Sequence, residues 1–175
     1  RIPKENTCYG ENNSPPLNWI GVPSHAKSLA VIMEEPETRS EAKSNEVPYL
    51  RNAYTIAPSF GSVHWIIYNI PPDAIGLPGG MTTSTSVLPD GTTYGTNEFG
   101  GLGYTGPCPP PSVVGLYTVT GGTSEAPRNY YFRVYALDSM LDLAPGSTKA
   151  DLIKAMDGHM VAHGETMGKF QGPRQ

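Results

Sequence analysis

The run Val63-His64-Trp65-Ile66-Ile67-Tyr68-Asn69-Ile70-Pro71-Pro72 reads as a buried strand. Its β-branched and aromatic residues suit a pleated surface, and the Pro-Pro pair, which lacks two backbone donors, closes it. The apolar character is continuous rather than alternating, as expected for a strand covered on both faces. A second run of this kind, Ser28 to Met33, lies within Lys27-Ser28-Leu29-Ala30-Val31-Ile32-Met33-Glu34-Glu35-Pro36-Glu37 and ends in an acidic, proline-broken turn. A third, Tyr130-Tyr131-Phe132-Arg133-Val134-Tyr135-Ala136-Leu137, alternates enough to be a core strand. These runs predict a β-dominated domain. They also place ionisable residues where strand gives way to loop, the position from which a rigid sheet presents function.

Between the second and third strands of this set lies Asn97-Glu98-Phe99-Gly100-Gly101-Leu102-Gly103-Tyr104-Thr105-Gly106-Pro107-Cys108-Pro109-Pro110-Pro111. Glycine admits positive φ and close approach, whereas proline fixes φ, so the stretch is neither helix nor central strand. Two readings stand: a surface loop of turn residues, or a shaped loop whose amides form an anion-binding nest.

A chain of 175 residues supports one domain with a proper core. Its 20 glycines and 18 prolines argue for many turns and few long helices. The net charge of −4 and the pI near 5.5 give no basic footprint for nucleic acid. No stretch reaches the roughly 18 apolar residues of a membrane-spanning helix. The one convincing helix is Lys149 to Asp157, with Thr148 as N-cap, Asp151 in the first turn and Gly158 as its stop. Gly164 to Phe170 is expected to be extended. His25, His64, His159 and His163 are scattered, and the i, i+4 pair His159/His163 lacks the intervening Glu of a zincin motif. No metal and no cofactor is expected.

Taken together, several blocks resemble the phosphatidylethanolamine-binding protein family, in its bacterial Raf-kinase-inhibitor-like branch. They are Thr7-Cys8-Tyr9-Gly10-Glu11-Asn12-Asn13-Ser14-Pro15-Pro16-Leu17-Asn18-Trp19, Val22-Pro23, Lys27 to Ile32, His64-Trp65, Asn97 to Pro110, Val134 to Asp138, Ala155 to His159, and Gly168. The resemblance runs in order from about Thr7 to about Phe170. It implies a mainly β fold, with a large central β-sheet flanked by a smaller sheet and a few short helices. It also implies a single domain over residues 1–175, with apparent loop insertions at about 38–62 and 112–127. The second insertion suits a hairpin arm beside the pocket, with a strand at Gly115 to Thr120.

The same resemblance implies a small anion pocket at the sheet edge. The family's acidic turn falls on Glu35-Pro36-Glu37, its strand histidine on His64, its Gly-x-x-Pro-Pro loop on Gly106-Pro107-Cys108-Pro109-Pro110, and its tyrosine on Tyr130. His64 would donate to the anion, with a neighbouring carboxylate raising its pKa toward neutrality. Glu35 and Glu37 would orient His64 or an arginine rather than meet the anion. Trp65 and Tyr68 would pack in the core. A second family histidine is absent, and Arg128 stands there, either meeting the anion or facing solvent. With His64→Ala as the discriminating variant, three functions are in view. The leading one is a binding protein for a small anion (phosphate, phospholipid headgroup or carboxylate). The others are an isomerase- or cyclase-type enzyme using His64 and Glu35 as acid and base, and a kinase or protease inhibitor meeting a protein partner through the inserted loops.

Cys8 and Cys108 are the only cysteines. Either they form a bridge across about 100 residues, or they are two small buried thiols. The bridge implies an oxidising compartment, secreted or periplasmic rather than cytoplasmic. Arg1 opens the chain without an initiator methionine or signal peptide, which fits a processed product as well as a shortened chain.

Overall fold

The computed structural model describes residues 1–36, 62–81, 83–109 and 127–173. Glu37, Pro110 and nearly all of both apparent insertions, including Gly115 to Thr120, lie outside the described residues. The elements in chain order are β1 (Leu17–Asn18), β2 (Ser28–Glu35), β3 (Ser62–Ile70), β4 (Gly76–Leu77), β5 (Thr93–Tyr94), β6 (Arg128–Leu137), α1 (Lys149–Met156) and β7 (Met160–Phe170). A 3₁₀ turn at Lys4–Asn6 precedes them.

The larger sheet has five strands in the order β5-β3-β2-β6-β7, and the smaller pairs β1 with β4. Every pairing is antiparallel. β2 and β3 run through the middle, and β2 is buried from Ser28 to Glu34. This burial explains their unbroken apolar composition. Leu29, Val31 and Met33 join Trp65, Ile67, Tyr130 and Phe132 in one core cluster. Ala30 and Ile32 join Ile66, Tyr68, Tyr135 and Leu137 in a second, which Leu152 and Met156 of α1 complete. Trp65 and Tyr68 are fully buried, as the expected core residues.

Helix α1 starts where its sequence signals place it. The Thr148 hydroxyl accepts from the Asp151 amide at 3.3 Å, and the Asp151 carboxylate accepts from the Thr148 amide at 2.9 Å. That reciprocal box satisfies amides the helix itself leaves free. The Thr148 hydroxyl, donating to the Asp151 carboxylate at 2.7 Å, and then the Thr148 amide hold that carboxyl below the usual range.

Glu34 corrects the sequence reading, which put it in an acidic, proline-broken turn at the end of the strand. It is the last fully buried residue of β2, 3% exposed, and its carboxylate takes Arg133 of β6 and Lys149 of α1 as ion-pair partners. Arg133 is held in turn by Glu165 of β7 at 2.6 Å. Successive residues of a strand face opposite ways. Glu34 therefore anchors the strand end on the helix-covered face while Glu35 is delivered to the other.

Candidate functional site at the end of the sheet

The pairing of β2 with β3 has two register shifts, and one of them falls at His64. Met33 faces Trp65 and Glu34 faces Val63, which leaves His64 as the extra residue of a β-bulge. A bulge breaks the two-residue alternation and re-aims a side chain. The consequence is visible in the cores: Val63 and Trp65, two positions apart, pack into different clusters. His64 itself turns toward Tyr130, whose ring it meets edge-on with centroids 5.3 Å apart.

The imidazole is 2% exposed, and its two nitrogens have different fates. Nδ1 lies 2.7 Å from the Thr105 carbonyl oxygen. A carbonyl only accepts, so Nδ1 carries the hydrogen and donates. Nε2 is then an acceptor in the neutral ring, and among the described residues it has no hydrogen-bond partner. Its nearest charged neighbour is Glu35 Oε2 at 3.9 Å. Burial pushes the His64 pKa below the ordinary histidine value; the Thr105 carbonyl, Glu35 and Glu98 pull it upward by less. The expected rise toward neutrality is thus reversed, because desolvation of the ring outweighs the carboxylates.

Glu35 divides its carboxylate. Oε1 accepts from Arg128 Nη1 at 2.9 Å, while Oε2 faces His64. Glu35 is mostly buried, whereas Arg128 is nearly half exposed at the rim. Arg128 thus stands in the site rather than pointing away from it. Tyr130, two residues along β6 on the same face, is fully buried; its hydroxyl faces the Glu35 carboxylate but makes no hydrogen bond of good geometry among the described residues. Burial and the negative charge of Glu35 drive its pKa well above the ordinary phenol value. Phe99 completes the site from the loop side, 55% exposed, with its ring 5.0 Å from that of His64.

The glycine-rich loop is organised by Asn97, which is 3% exposed. Its Nδ2 donates to the Gly103 carbonyl and to Thr105 Oγ1, at 3.0 and 2.9 Å. Its Oδ1 accepts from the amides of Phe99 and Gly101, at 3.0 and 3.1 Å. The Thr105 amide donates to the His64 carbonyl at 2.9 Å and the Glu98 amide to the Val63 carbonyl at 3.0 Å. Many of the loop's amides are thus spent inside the protein, and the oxygen nested between those of Phe99 and Gly101 is that of Asn97. Within 106–110, prolines leave N–H groups only on Gly106 and Cys108, and Gly106 donates to Asn12 Oδ1 at 2.7 Å.

The 106–109 segment faces the N-terminal segment instead. The Pro107 carbonyl accepts from the Cys8 amide at 3.2 Å, and the Pro109 carbonyl accepts from the Tyr9 hydroxyl. Cys8 and Cys108 are disulfide-bonded, with Cα atoms 5.3 Å apart, and both residues are exposed rather than buried thiols. Gly106 is glycine because of close approach: a Cβ there would run into the Asn6 carbonyl oxygen and lie 2.9 Å from Thr7 Cα. The loop is clamped so that Thr105 can hold the imidazole.

Asn97, Thr105 and Phe99 were not singled out from the sequence. Asn97 was legible as a residue able to bond its own following amides; no local signal marks Phe99. Two clefts on the apolar face of the sheet are lined by Trp19, Ile20 and residues of β6 and β7, and none of Glu35, His64 or Tyr130 lines either. Among the described residues no three His, Cys, Asp or Glu side chains group as a metal site, and no helix is long and apolar enough to cross a membrane.

A mainly antiparallel β domain with a small polar site at one end of its central sheet is the class this geometry defines. Residues 1–171 match the family model described as phosphatidylethanolamine-binding protein. The chain belongs to that family. It is 42% identical over 171 residues to a UPF0098 protein of Methanothermobacter thermautotrophicus, covering 98% of this chain and 91% of that one. Among solved structures it resembles CT736 of Chlamydia trachomatis, a putative phosphatidylethanolamine-binding protein homologue, at 34% identity and a TM-score of 0.69, covering 98% of this chain and 89% of that one. It also resembles YbcL of E. coli, a member of the mammalian PEBP family, at 27% identity and a TM-score of 0.70, covering 98% and 90%. Membership of this family points to ligand binding in general.

Proposed function

We propose that this chain is a binding protein for a small anionic ligand, held at the end of the central sheet by His64, Tyr130 and Arg128. One observation carries the reading: among the described residues His64 Nε2 and the Tyr130 hydroxyl are buried without hydrogen-bond partners, and their rings pack against each other. A buried polar atom left unmade costs about 1–3 kcal/mol, so a pair of them beside an arginine favours a ligand that completes both. The family's own description, binding of phosphatidylethanolamine, supports a phosphate-bearing group. Glu35 supports the reading as the residue that fixes Arg128 and faces His64. An acid–base enzyme would draw on the same His64–Glu35 pair, but the ion pair with Arg128 favours Glu35 as a fixed anion rather than a proton carrier.

The test is a thermal-shift titration of wild type and His64→Ala with inorganic phosphate, phosphoethanolamine and short carboxylates. A ligand at 100 times its Kd adds about 2.7 kcal/mol of stability. Stabilisation of the wild type that disappears in His64→Ala is expected. Absence of stabilisation by every anion would end the proposal.

A further inference from the structure

The site is an unusual one for an anion, because two of its inner groups are acceptors. Nδ1 of His64 is committed as a donor to Thr105, which leaves a lone pair on Nε2. Beside it stands Oε2 of Glu35, 3.9 Å away, from a carboxylate whose other oxygen is taken by Arg128. The groups facing the imidazole are Glu35 from β2, Glu98 and the Thr105–Gly106 backbone from the loop, and Tyr130 from β6, with Arg128 beyond Glu35. Donors to an oxyanion are therefore the Tyr130 hydroxyl and the remaining N–H groups of Arg128. An anion whose oxygens are all deprotonated would press one of them against Nε2 and Glu35. An anion carrying an acidic O–H would donate it there and present its other oxygens to Tyr130 and Arg128.

Building on the anion-site reading above, we propose that Glu35 and His64 select an anion that brings its own proton, a hydrogen phosphate or a phosphate monoester. They select against a fully deprotonated or diesterified anion such as sulfate or a lipid phosphodiester. Glu35 is the specificity-determining residue. The free His64 ring is held neutral by burial, so sulfate must first recruit a proton from solvent, whereas hydrogen phosphate supplies it.

Isothermal titration at about pH 7, near the middle of the range in which only histidine among side chains ordinarily titrates, tests this with inorganic phosphate, sulfate and glycerophosphoethanolamine. Phosphate should bind at least about tenfold more tightly than either of the others, the effect of one buried acceptor left facing an oxygen. Repeating the titration in buffers of different ionisation heat should show greater proton uptake for sulfate than for phosphate. Glu35→Gln, whose amide can donate, should bring sulfate to within about threefold of phosphate. Sulfate or the diester binding as tightly as phosphate to the wild type overturns the selection while leaving an anion site. A ratio unchanged in Glu35→Gln removes Glu35 from the role. Binding of none of the three overturns both this proposal and the site beneath it.

Discussion

Tyr130→Phe should raise the stability of the free protein and lower its affinity for anions. The ring is fully buried, in the same core cluster as Met33 and Trp65, and Phe keeps that packing. Only the hydroxyl is lost, and among the described residues of the folded chain it has no hydrogen-bond partner, whereas in the unfolded chain water solvates it. The unmade bond costs about 1–3 kcal/mol, and about 1 kcal/mol of that should return as added stability in phosphate-free buffer. A hydrogen bond from the same hydroxyl to a charged ligand is worth about 1.5–3 kcal/mol, so the Kd for inorganic phosphate should rise by roughly 10- to 150-fold. Urea unfolding followed by tryptophan fluorescence reads the first quantity, and isothermal titration reads the second. A variant that is less stable than wild type yet binds phosphate equally well would refute the reasoning. It would mean that the hydroxyl serves the fold and not a ligand.

Glu34→Ala removes the anion between Arg133 and Lys149; because Arg133 keeps Glu165 and Lys149 has a flexible stem, the cost should be about 2–3 kcal/mol rather than the 3–5 of a sealed pair, read by urea unfolding. Gly106→Ala drives a methyl into the Asn6 carbonyl and should cost about 1–3 kcal/mol while weakening anion binding, whereas Gly80→Ala, with open space around it but a positive φ, should cost less and leave binding alone. Cys8→Ser with Cys108→Ser reopens a loop of sequence separation 100 and should lower stability by up to about 4.7 kcal/mol in the chain-entropy model. The lowered His64 pKa makes the folded chain bind fewer protons than the unfolded one just below about pH 6.5, so stability falls as the solution is acidified through that range. His64→Gln should flatten that slope in urea unfolding between about pH 5 and 7, and an unaltered slope would sink this account.

Much of the fold was legible because burial on both faces writes itself into composition. The runs Ser28–Met33 and Val63–Ile70 could be placed almost to the residue for that reason, and Thr148, Asp151 and Gly158 marked α1 by local hydrogen-bond chemistry. Glu35, His64, Arg128 and Tyr130 were named as candidates through the family resemblance, which matches residue types along the chain. Their relations were not. Whether Arg128 met the site depended on which β6 residue lies opposite the end of β2, and register is set by the whole sheet. The His64 pKa was misread because sequence shows a neighbouring carboxylate but not the depth at which the ring is buried. Glu34 was misread because two adjacent glutamates look like a solvated turn; only the placement of Arg133 and Lys149, 99 and 115 residues away, makes one of them a buried anchor.

The adjacent pair Glu34-Glu35 also explains how so small a site can be held still. Strand alternation sends the first carboxylate to the helix-covered face, where Arg133 and Lys149 grip it, and the second to Arg128 and His64. The strand end is therefore fixed from both sides at consecutive residues. On the opposite wall the His64 bulge is fixed through Thr105, and the loop bearing Thr105 is tied to the N-terminal segment by Asn12, Tyr9 and the Cys8–Cys108 bond. A site whose donors and acceptors are immobilised before a ligand arrives loses little freedom on binding. On the proposed reading its selectivity comes from which hydrogen each oxygen can supply or receive, and that is set by the lone pair of His64 Nε2 and the carboxylate of Glu35 beside it rather than by net positive charge. A chain with a formal charge of −4 can bind an anion on these terms.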